Sequence, residues 1–150
     1  MNTPVHFVIT SDAVMNSFFI PRLGSMIYAM AGMQTQLHLM ATEAGDYMGE
    51  SANYSGRGFS DMQFRTLAMP QEQYQAWVEK VRSSADQLDD QTYPRLAAPS
   101  EAEPVKYYSH VEPNLFDEIV AKYNNGMVMD KSTGKMIHVQ SAMSDMNMKE

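Results

Sequence analysis

The 150-residue sequence contains no cysteine, which excludes disulfide bonds, thiolate metal ligands and cysteine nucleophiles. Basic residues are also scarce: 11 Lys and Arg stand against 18 Asp and Glu, and the net charge of -7 offers no basic surface to nucleic acid. No apolar run approaches the ~18 residues that a membrane helix needs, and no signal-peptide pattern is visible. With 44% hydrophobic residues, the chain is expected to build a folded core. No nucleic-acid partner is expected.

Short segments of alternating polarity predict β-strands in the first half of the chain. Val5–Thr10 is β-branched and aromatic, Thr35–Met40 alternates polar and apolar residues, and Phe64–Met69 alternates again. Gly and Pro residues separate these segments, which is typical of a sandwich or barrel. Between the last two strands, Gly45–Met62 is rich in Gly, Ser and Asn, and this composition predicts a loop.

A helical period begins after Pro70, which is suited to a helix entry. Apolar residues spaced i, i+3, i+4 and i+7 predict an amphipathic helix over Gln71–Ser84. A short helix is expected around Gln91–Ala97, and a second amphipathic helix over Pro113–Tyr123. The Asn-Asn-Gly126 sequence that follows is a helix stop signal.

The last part of the chain, Met127–Glu150, is rich in methionine and has no sustained period. We expect a poorly ordered tail with one short hairpin around Thr133-Gly134. The sequence thus divides into a β domain over residues 1–69, an aromatic-rich helical extension over 70–126, and a flexible Met-rich tail over 127–150.

Two segments of the β domain carry an informative spacing. The first reads Asn16-Ser-Phe-Phe-Ile-Pro21, and the second reads Ser51-Ala-Asn-Tyr-Ser-Gly-Arg-Gly-Phe-Ser-Asp-Met62. They resemble the His-Ser-Phe-x-x-Pro and Cys-x-Glu-x-Cys-x-x-x-His-x-x-Met motifs of subunit II of the haem–copper oxidases, where they hold a dinuclear copper centre. The resemblance implies a mainly β fold: a cupredoxin-like Greek-key sandwich that here lacks its first strands and is followed by the helical extension.

Only one of the six ligand positions keeps a residue that matches the motif. In chain order the positions are occupied by Asn16, Ser51, Asn53, Ser55, Phe59 and Met62. A serine hydroxyl supplies no thiolate and a lone thioether is a weak ligand, so a bridged dicopper site cannot form. We expect Asn16, Ser51 and Ser55 to hold the two segments together by hydrogen bonds instead.

This pattern of loss resembles the cytochrome bo-type ubiquinol oxidases, in which ubiquinol delivers electrons directly to subunit I. Met15–Ser25, Ile27–Thr35 and Val105–Phe116 also resemble subunit II of that branch. The resemblance implies a structural and assembly role on the periplasmic face of the bacterial inner membrane. It implies no catalytic residue, metal or cofactor in this domain. Haem and copper are expected in subunit I, which would be its partner together with other membrane subunits.

The resemblance also implies that the full-length protein is anchored in the membrane, although no membrane segment lies in this chain. A sandwich without its first strands leaves an unpaired edge and an uncovered apolar face, so self-association through that edge is expected.

Two other functions stay open. The methionines suggest a stand-alone copper-binding or copper-delivery module, although methionine more often fills gaps in cores or interfaces. The methionines of the β domain weighed here are Met15, Met26, Met30, Met33, Met40, Met48, Met62 and Met69. The acidic surface suggests docking of cytochrome c, but without a copper relay such docking would lead nowhere.

Other candidate residues receive plainer interpretations. The four imidazoles show no ligand spacing, and surface roles are expected for them. They are His6, His38, His110 and His138. Ser51 and Ser55 lack the nucleophile-elbow pattern, so we do not expect them to be catalytic. The acidic residues near the two motif segments are expected to be solvated; these are Asp12, Glu43, Asp46 and Glu50. The aromatic residues of the extension are expected to cover the sandwich, chiefly Trp77, Tyr107 and Tyr108.

Overall fold

The structure, a computed structural model, describes residues 1–129, 133 and 135–138. The β domain contains six strands: β1 (Val5–Ile9), β2 (Asn16–Phe18), β3 (Ile27–Ala29), β4 (Thr35–Leu39), β5 (Gly45–Glu50) and β6 (Gln63–Ala68). Beyond them lie α1 (Gln71–Arg82), β7 (Gln87–Leu88), α2 (Tyr93–Leu96), β8 (His110–Val111), α3 (Leu115–Lys122), β9 (Met127–Met129) and β10 (Met136–His138). No helix among these residues has the length and hydropathy needed to cross a membrane.

The strands of the β domain pair as antiparallel ribbons. β1 pairs with β4, β2 with β3, and β5 with β6. An isolated bridge between Phe19 and Glu50 joins the end of β2 to the end of β5. This bridge places the two motif segments next to each other, because one follows β5 and the other contains β2.

The prediction of a loop over Gly45–Met62 is wrong for its first third, which forms β5. Tyr47 and Gly49 are buried while Asp46 and Met48 are exposed, so β5 has the two-residue alternation of a strand. Gly49 pairs with Phe64 of β6, and a Cβ atom at residue 49 would overlap the Phe64 ring. Glycine at this position therefore serves close packing in a strand rather than a turn. The short strands β2 and β3 were not predicted either, because three residues are too few to show a period.

The β domain packs around Ile20, which is fully buried, together with Leu39 and Tyr47. Partly buried side chains surround them: Phe7, Phe18, Leu23, Leu37, Ala41, Phe64 and Ala68. We expected the eight methionines to fill gaps in the core or in an interface; none of them is buried, so they do not fill the core of this domain, and a role in an interface stays a prediction. Branched and aromatic side chains fill it instead, and the methionines lie at or near the surface.

The helices of the extension were largely predicted from their period. The first amphipathic helix, its Pro70 entry, the short second helix and the third helix are all confirmed, and no end differs by more than two residues. The chain leaves α3 with Gly126 at φ 78°, and the Gly126 N–H donates to the Ala121 carbonyl at 2.9 Å. The Trp77 ring contacts Tyr74 and Tyr107 within the extension and stays 40% exposed.

A second, smaller core lies between α3 and the chain that follows it. Val128 is buried against Val120 and Ala121, with Phe116 and Ile137 packed beside them. β9 and β10 pair antiparallel on either side of Thr133, so the two strands of the predicted hairpin are confirmed. Gly134 and the predicted disorder of 139–150, with Met143, Met146 and Met148, lie outside the described residues.

Candidate functional site

The two motif segments meet at the end of the β2 and β5 strands. Backbone hydrogen bonds run both ways between Phe19 and Glu50, at 3.1 and 2.8 Å. Ser17, two residues before Phe19, and Ser51, the residue after Glu50, are the two buried polar residues of the described chain, at 7% and 8% exposure. The two serines therefore lie beside the backbone bridge between β2 and β5 and are shielded from water.

Two hydrogen bonds cross this junction and join Ser17 to Ser51 and to Ala52. The Ser17 N–H donates to the Ser51 hydroxyl oxygen at 3.3 Å, and the Ala52 N–H donates to the Ser17 hydroxyl oxygen at 2.6 Å. The Asn53 side-chain amide adds a third link, donating to the Met15 carbonyl at 2.9 Å. Because a buried N–H without an acceptor costs about 1–3 kcal/mol, these hydroxyl oxygens stabilise the junction.

We expected Asn16, Ser51 and Ser55 to join the two motif segments by hydrogen bonds, and of these three side chains only that of Ser51 does so. The Asn16 side-chain amide donates to the Val14 carbonyl of its own segment, at 3.1 Å. Its Oδ1 atom is buried and has no hydrogen-bond partner within the described part of the chain. The Ser55 hydroxyl donates to the Met62 sulfur at 3.3 Å, inside the second segment. Ser17, which the motif comparison did not single out, supplies the bond that was expected of Asn16.

The second segment closes on itself. The Ser51 N–H donates to the Met62 carbonyl at 3.0 Å, which joins the first and last motif positions. A single 3-10 turn over Phe59–Asp61 precedes Met62, and the Phe59 ring packs edge-on against Tyr54 at 5.5 Å. The segment is a compact loop that presents hydroxyl, amide, aromatic and thioether groups.

These groups offer little to a metal ion. They provide no thiolate or imidazole, and a thioether next to neutral oxygens is a weak ligand set. Across the described residues, no group of three or more His, Cys, Asp or Glu side chains is placed to hold a metal ion. The arrangement is suited to holding two segments together.

The acidic residues near the two motif segments, which could together form a cation site, have different surroundings in the fold. Asp46 forms an ion pair with Arg65 across the β5–β6 ribbon. Asp12, in the loop after β1, turns toward the extension, and its side chain is only 15% exposed. The expectation that Asp12 is a solvated loop charge is therefore wrong.

Asp12 is the centre of a cluster that sequence reasoning missed. Its carboxylate accepts hydrogen bonds from the Tyr93 hydroxyl at 2.6 Å, the Lys122 ammonium at 2.8 Å and the Tyr123 hydroxyl at 3.0 Å. We call these four residues the Asp12 cluster. It connects the β domain to α2 and to the end of α3. A neighbouring hydrogen bond from the Asn124 side chain to the Gly32 carbonyl connects the same two parts.

The cluster shifts the acid–base properties of its members. Burial by itself would raise the pKa of Asp12, but the hydrogen bonds from Lys122, Tyr93 and Tyr123 outweigh it and hold that pKa below its ordinary value of 3.8. Burial and the Asp12 carboxylate both raise the pKa of the Tyr93 hydroxyl. At neutral pH the cluster therefore contains a carboxylate, an ammonium and two neutral phenols.

Two family models match the chain. "Cytochrome C oxidase subunit II, periplasmic domain" matches residues 1–69, and "COX Aromatic Rich Motif" matches residues 82–127. Ubiquinol oxidase subunit 2 of Acetobacter aceti is 78% identical over 100% of the chain. Cytochrome bo(3) ubiquinol oxidase subunit 2 of Pseudomonas putida is 51% identical over 97% of it. The chain covers 49% and 45% of these two proteins, so it spans about half the length of the curated relatives it matches.

A solved structure supports the fold. The periplasmic domain of subunit II of cytochrome oxidase from Bradyrhizobium japonicum superposes with a TM-score of 0.51. That match covers 53% of this chain and 57% of the other, at 22% identity, and it shows the fold alone. The predicted fold class, a mainly β and cupredoxin-like domain, is confirmed.

Proposed function

The chain belongs to the ubiquinol oxidase subunit II family, and from this membership we propose that it is the non-catalytic periplasmic domain of subunit II of a proton-pumping ubiquinol oxidase. In this proposal ubiquinol oxidation and dioxygen reduction take place in subunit I, which carries the haems and copper. This domain contacts subunit I and the other membrane subunits from the periplasmic face of the inner membrane. The full-length protein is anchored in that membrane.

One observation carries the proposal: the two hydrogen bonds by which Ser17 of the first motif segment is joined to Ser51 and Ala52 of the second. A dicopper relay would need two thiolates between these segments, and neutral hydroxyl groups lie there instead. A ligand loop that is closed by its own hydrogen bonds keeps its shape without a metal. This supports a domain that retains the architecture of the copper-binding branch for assembly rather than for electron transfer.

Copper titration tests the loss of the relay. We expect the purified chain to develop no thiolate-to-copper absorption when Cu(II) is added, because it contains no cysteine. A strong purple or blue band would contradict the proposal.

Variants of the full-length oxidase test the structural role. Ser51→Ala removes the oxygen that accepts the Ser17 N–H, at a cost of about 1–3 kcal/mol in domain stability. We expect a lower yield of assembled complex but unchanged ubiquinol oxidation per haem in the complex that does assemble. Ser100→Ala, at an exposed serine of the extension, is the matched control and should change neither quantity. A loss of turnover per haem in Ser51→Ala would contradict a purely structural role.

Self-association of the isolated chain is also proposed. β1 pairs with β4 only, as far as the described strands go, and it exposes Val5 by 47% and Val8 by 39%. An apolar strand with a free edge is a template for pairing with a second copy. Light scattering is expected to show dimers or larger species whose fraction increases with concentration. A clean monomer at high concentration would refute this part of the proposal.

A second candidate function, a Met-rich copper-binding or copper-delivery module, is favoured by one feature. Met129 and Met136 are cross-strand partners on β9 and β10, and they are 63% and 46% exposed. Two adjacent thioethers suit Cu(I), which prefers soft ligands. Calorimetry with Cu(I), before and after deletion of residues 127–150, tests it. Tight binding that disappears with the deletion would support the module, and no measurable binding would exclude it.

A further inference from the structure

The β1–β4 ribbon brings two histidines into contact on its outward face. His6 and His38 are directly opposite each other in the strand register. Their rings are stacked with centroids 4.3 Å apart and planes only 4° from parallel, and both residues are exposed. This pair could not be predicted from the sequence, because the two residues become neighbours only through the register of two strands far apart in the chain.

The two imidazoles are close enough to chelate one metal ion. Each neutral imidazole has one ring nitrogen with a free lone pair. Zinc and copper bind such nitrogens at about 2.0–2.1 Å, so two nitrogens on one tetrahedral ion lie about 3.3 Å apart. Rings stacked at 4.3 Å reach that spacing by a small tilt toward each other. Exposed side chains make such a tilt without disturbing the core.

We propose that His6 and His38 form a binding site for a divalent transition-metal ion, with Cu(II) bound more tightly than Zn(II). The preference follows from the order of divalent affinities for nitrogen ligands. The site lies outside the motif positions from Asn16 to Met62 and is independent of the oxidase function proposed above.

The protein supplies these two ligands and leaves the other coordination positions to water. Neither β1 nor β4 contains Asp, Glu, Lys or Arg, so no carboxylate of these strands completes the site and no ammonium repels the ion. Met40 lies two residues beyond His38, and its thioether is a softer and poorer ligand for divalent copper or zinc than an imidazole. The site is therefore a nitrogen site that differs in chemistry from the methionine pair on β9 and β10.

NMR on the unmodified chain locates the ion. Cu(II) is paramagnetic and broadens nearby resonances. We expect substoichiometric Cu(II) to broaden the ring C–H signals of His6 and His38 before those of His110 and His138. Equal broadening of all four histidines would overturn the proposal, and this test does not depend on the folding of any variant.

Calorimetry with Cu(II) and with Zn(II) then measures the contribution of each ring. We expect His6→Asn and His38→Asn each to weaken binding by at least about tenfold, because chelation needs both rings. The matched controls are His110→Asn, a histidine on β8, and Met40→Leu, which removes a nearby thioether. Both should bind as the unmodified chain does. Unchanged affinity in His6→Asn and His38→Asn would overturn the proposal, as would a loss of affinity in Met40→Leu equal to theirs.

Discussion

Replacing Asp12 by Asn tests whether the Asp12 cluster holds the extension against the β domain. Asn has the shape of Asp but no charge and only one acceptor oxygen. The substitution therefore weakens the bonds that the carboxylate accepts from Tyr93, Lys122 and Tyr123 without opening a cavity. The cluster and the Asn124–Gly32 hydrogen bond join the β domain to α2 and to the end of α3, so weakening the cluster should destabilise the extension.

The size of the effect follows from burial. The Asp12 side chain is only 15% exposed, and hydrogen bonds to a charged acceptor contribute about 1.5–3 kcal/mol. The Lys122 side chain is 58% exposed, so solvent screens its ion pair and we assign that pair little weight. We expect Asp12→Asn to cost about 2 kcal/mol in free energy of unfolding, or about 4–8 °C in Tm for a chain of this length.

Urea unfolding with two probes measures this loss. Fluorescence of Trp77, the single tryptophan, reports on the extension, while circular dichroism reports on the strands as well. Asp61→Asn, at an exposed aspartate of the β domain, is the matched control. If Asp12→Asn unfolds at the same urea concentration as Asp61→Asn, the cluster does not stabilise the chain. A double-mutant cycle with Tyr93→Phe should be non-additive, and strict additivity would mean that the Tyr93 hydroxyl acts elsewhere.

Three further predictions follow from single contacts. The difference in free energy of unfolding between the unmodified chain and Asp12→Asn should be full above pH 3.8, the pKa of an ordinary aspartate. It should shrink as the pH falls through the pKa of Asp12 in the folded chain, which is lower, because the protonated acid resembles the amide. A difference that stays constant across acid pH would contradict this. Gly49→Ala should destabilise by about 1–3 kcal/mol through overlap with Phe64, whereas Gly45→Ala should not, as thermal melts would show. Ser17→Ala should cost about 1 kcal/mol by chemical denaturation, since the part-buried Ala52 N–H loses its acceptor; an unchanged midpoint would show that water replaces it.

Elements with a clear local period were predicted well. β1, β4 and β6 follow two-residue alternation, and α1 and α3 follow helical spacing, so each could be recognised from its own residues. β5 could not, because its glycines look like turn residues until Phe64 is placed across from Gly49. The burial of Val128 against α3 was missed for a similar reason: no period marks a three-residue strand.

The motif positions from Asn16 to Met62 show the same division. Their spacing and the absence of cysteine were readable from the sequence, and the comparisons agree with the family that the spacing indicated. The hydrogen bond from the Ala52 N–H to the Ser17 hydroxyl, which joins the two segments, could not be read from the sequence. Ser17 supplies it because β2 turns the Ser17 hydroxyl toward Ala52, while Asn16, its neighbour, keeps its hydrogen bond within its own segment. Adjacent residues of a strand point to opposite faces, and only the placed strand shows which one meets the loop.

The sequence by itself determined the chemistry that this chain can offer. A chain without cysteine has no thiolate in any fold, and the motif spacing by itself points to the subunit II family. The tertiary structure alone decided which distant groups meet: Ser17 with Ala52, Asp12 with Tyr93 and Lys122, and His6 with His38. The physical reason is that functional groups are fixed by covalent composition, whereas distances between residues remote in sequence depend on strand register and packing.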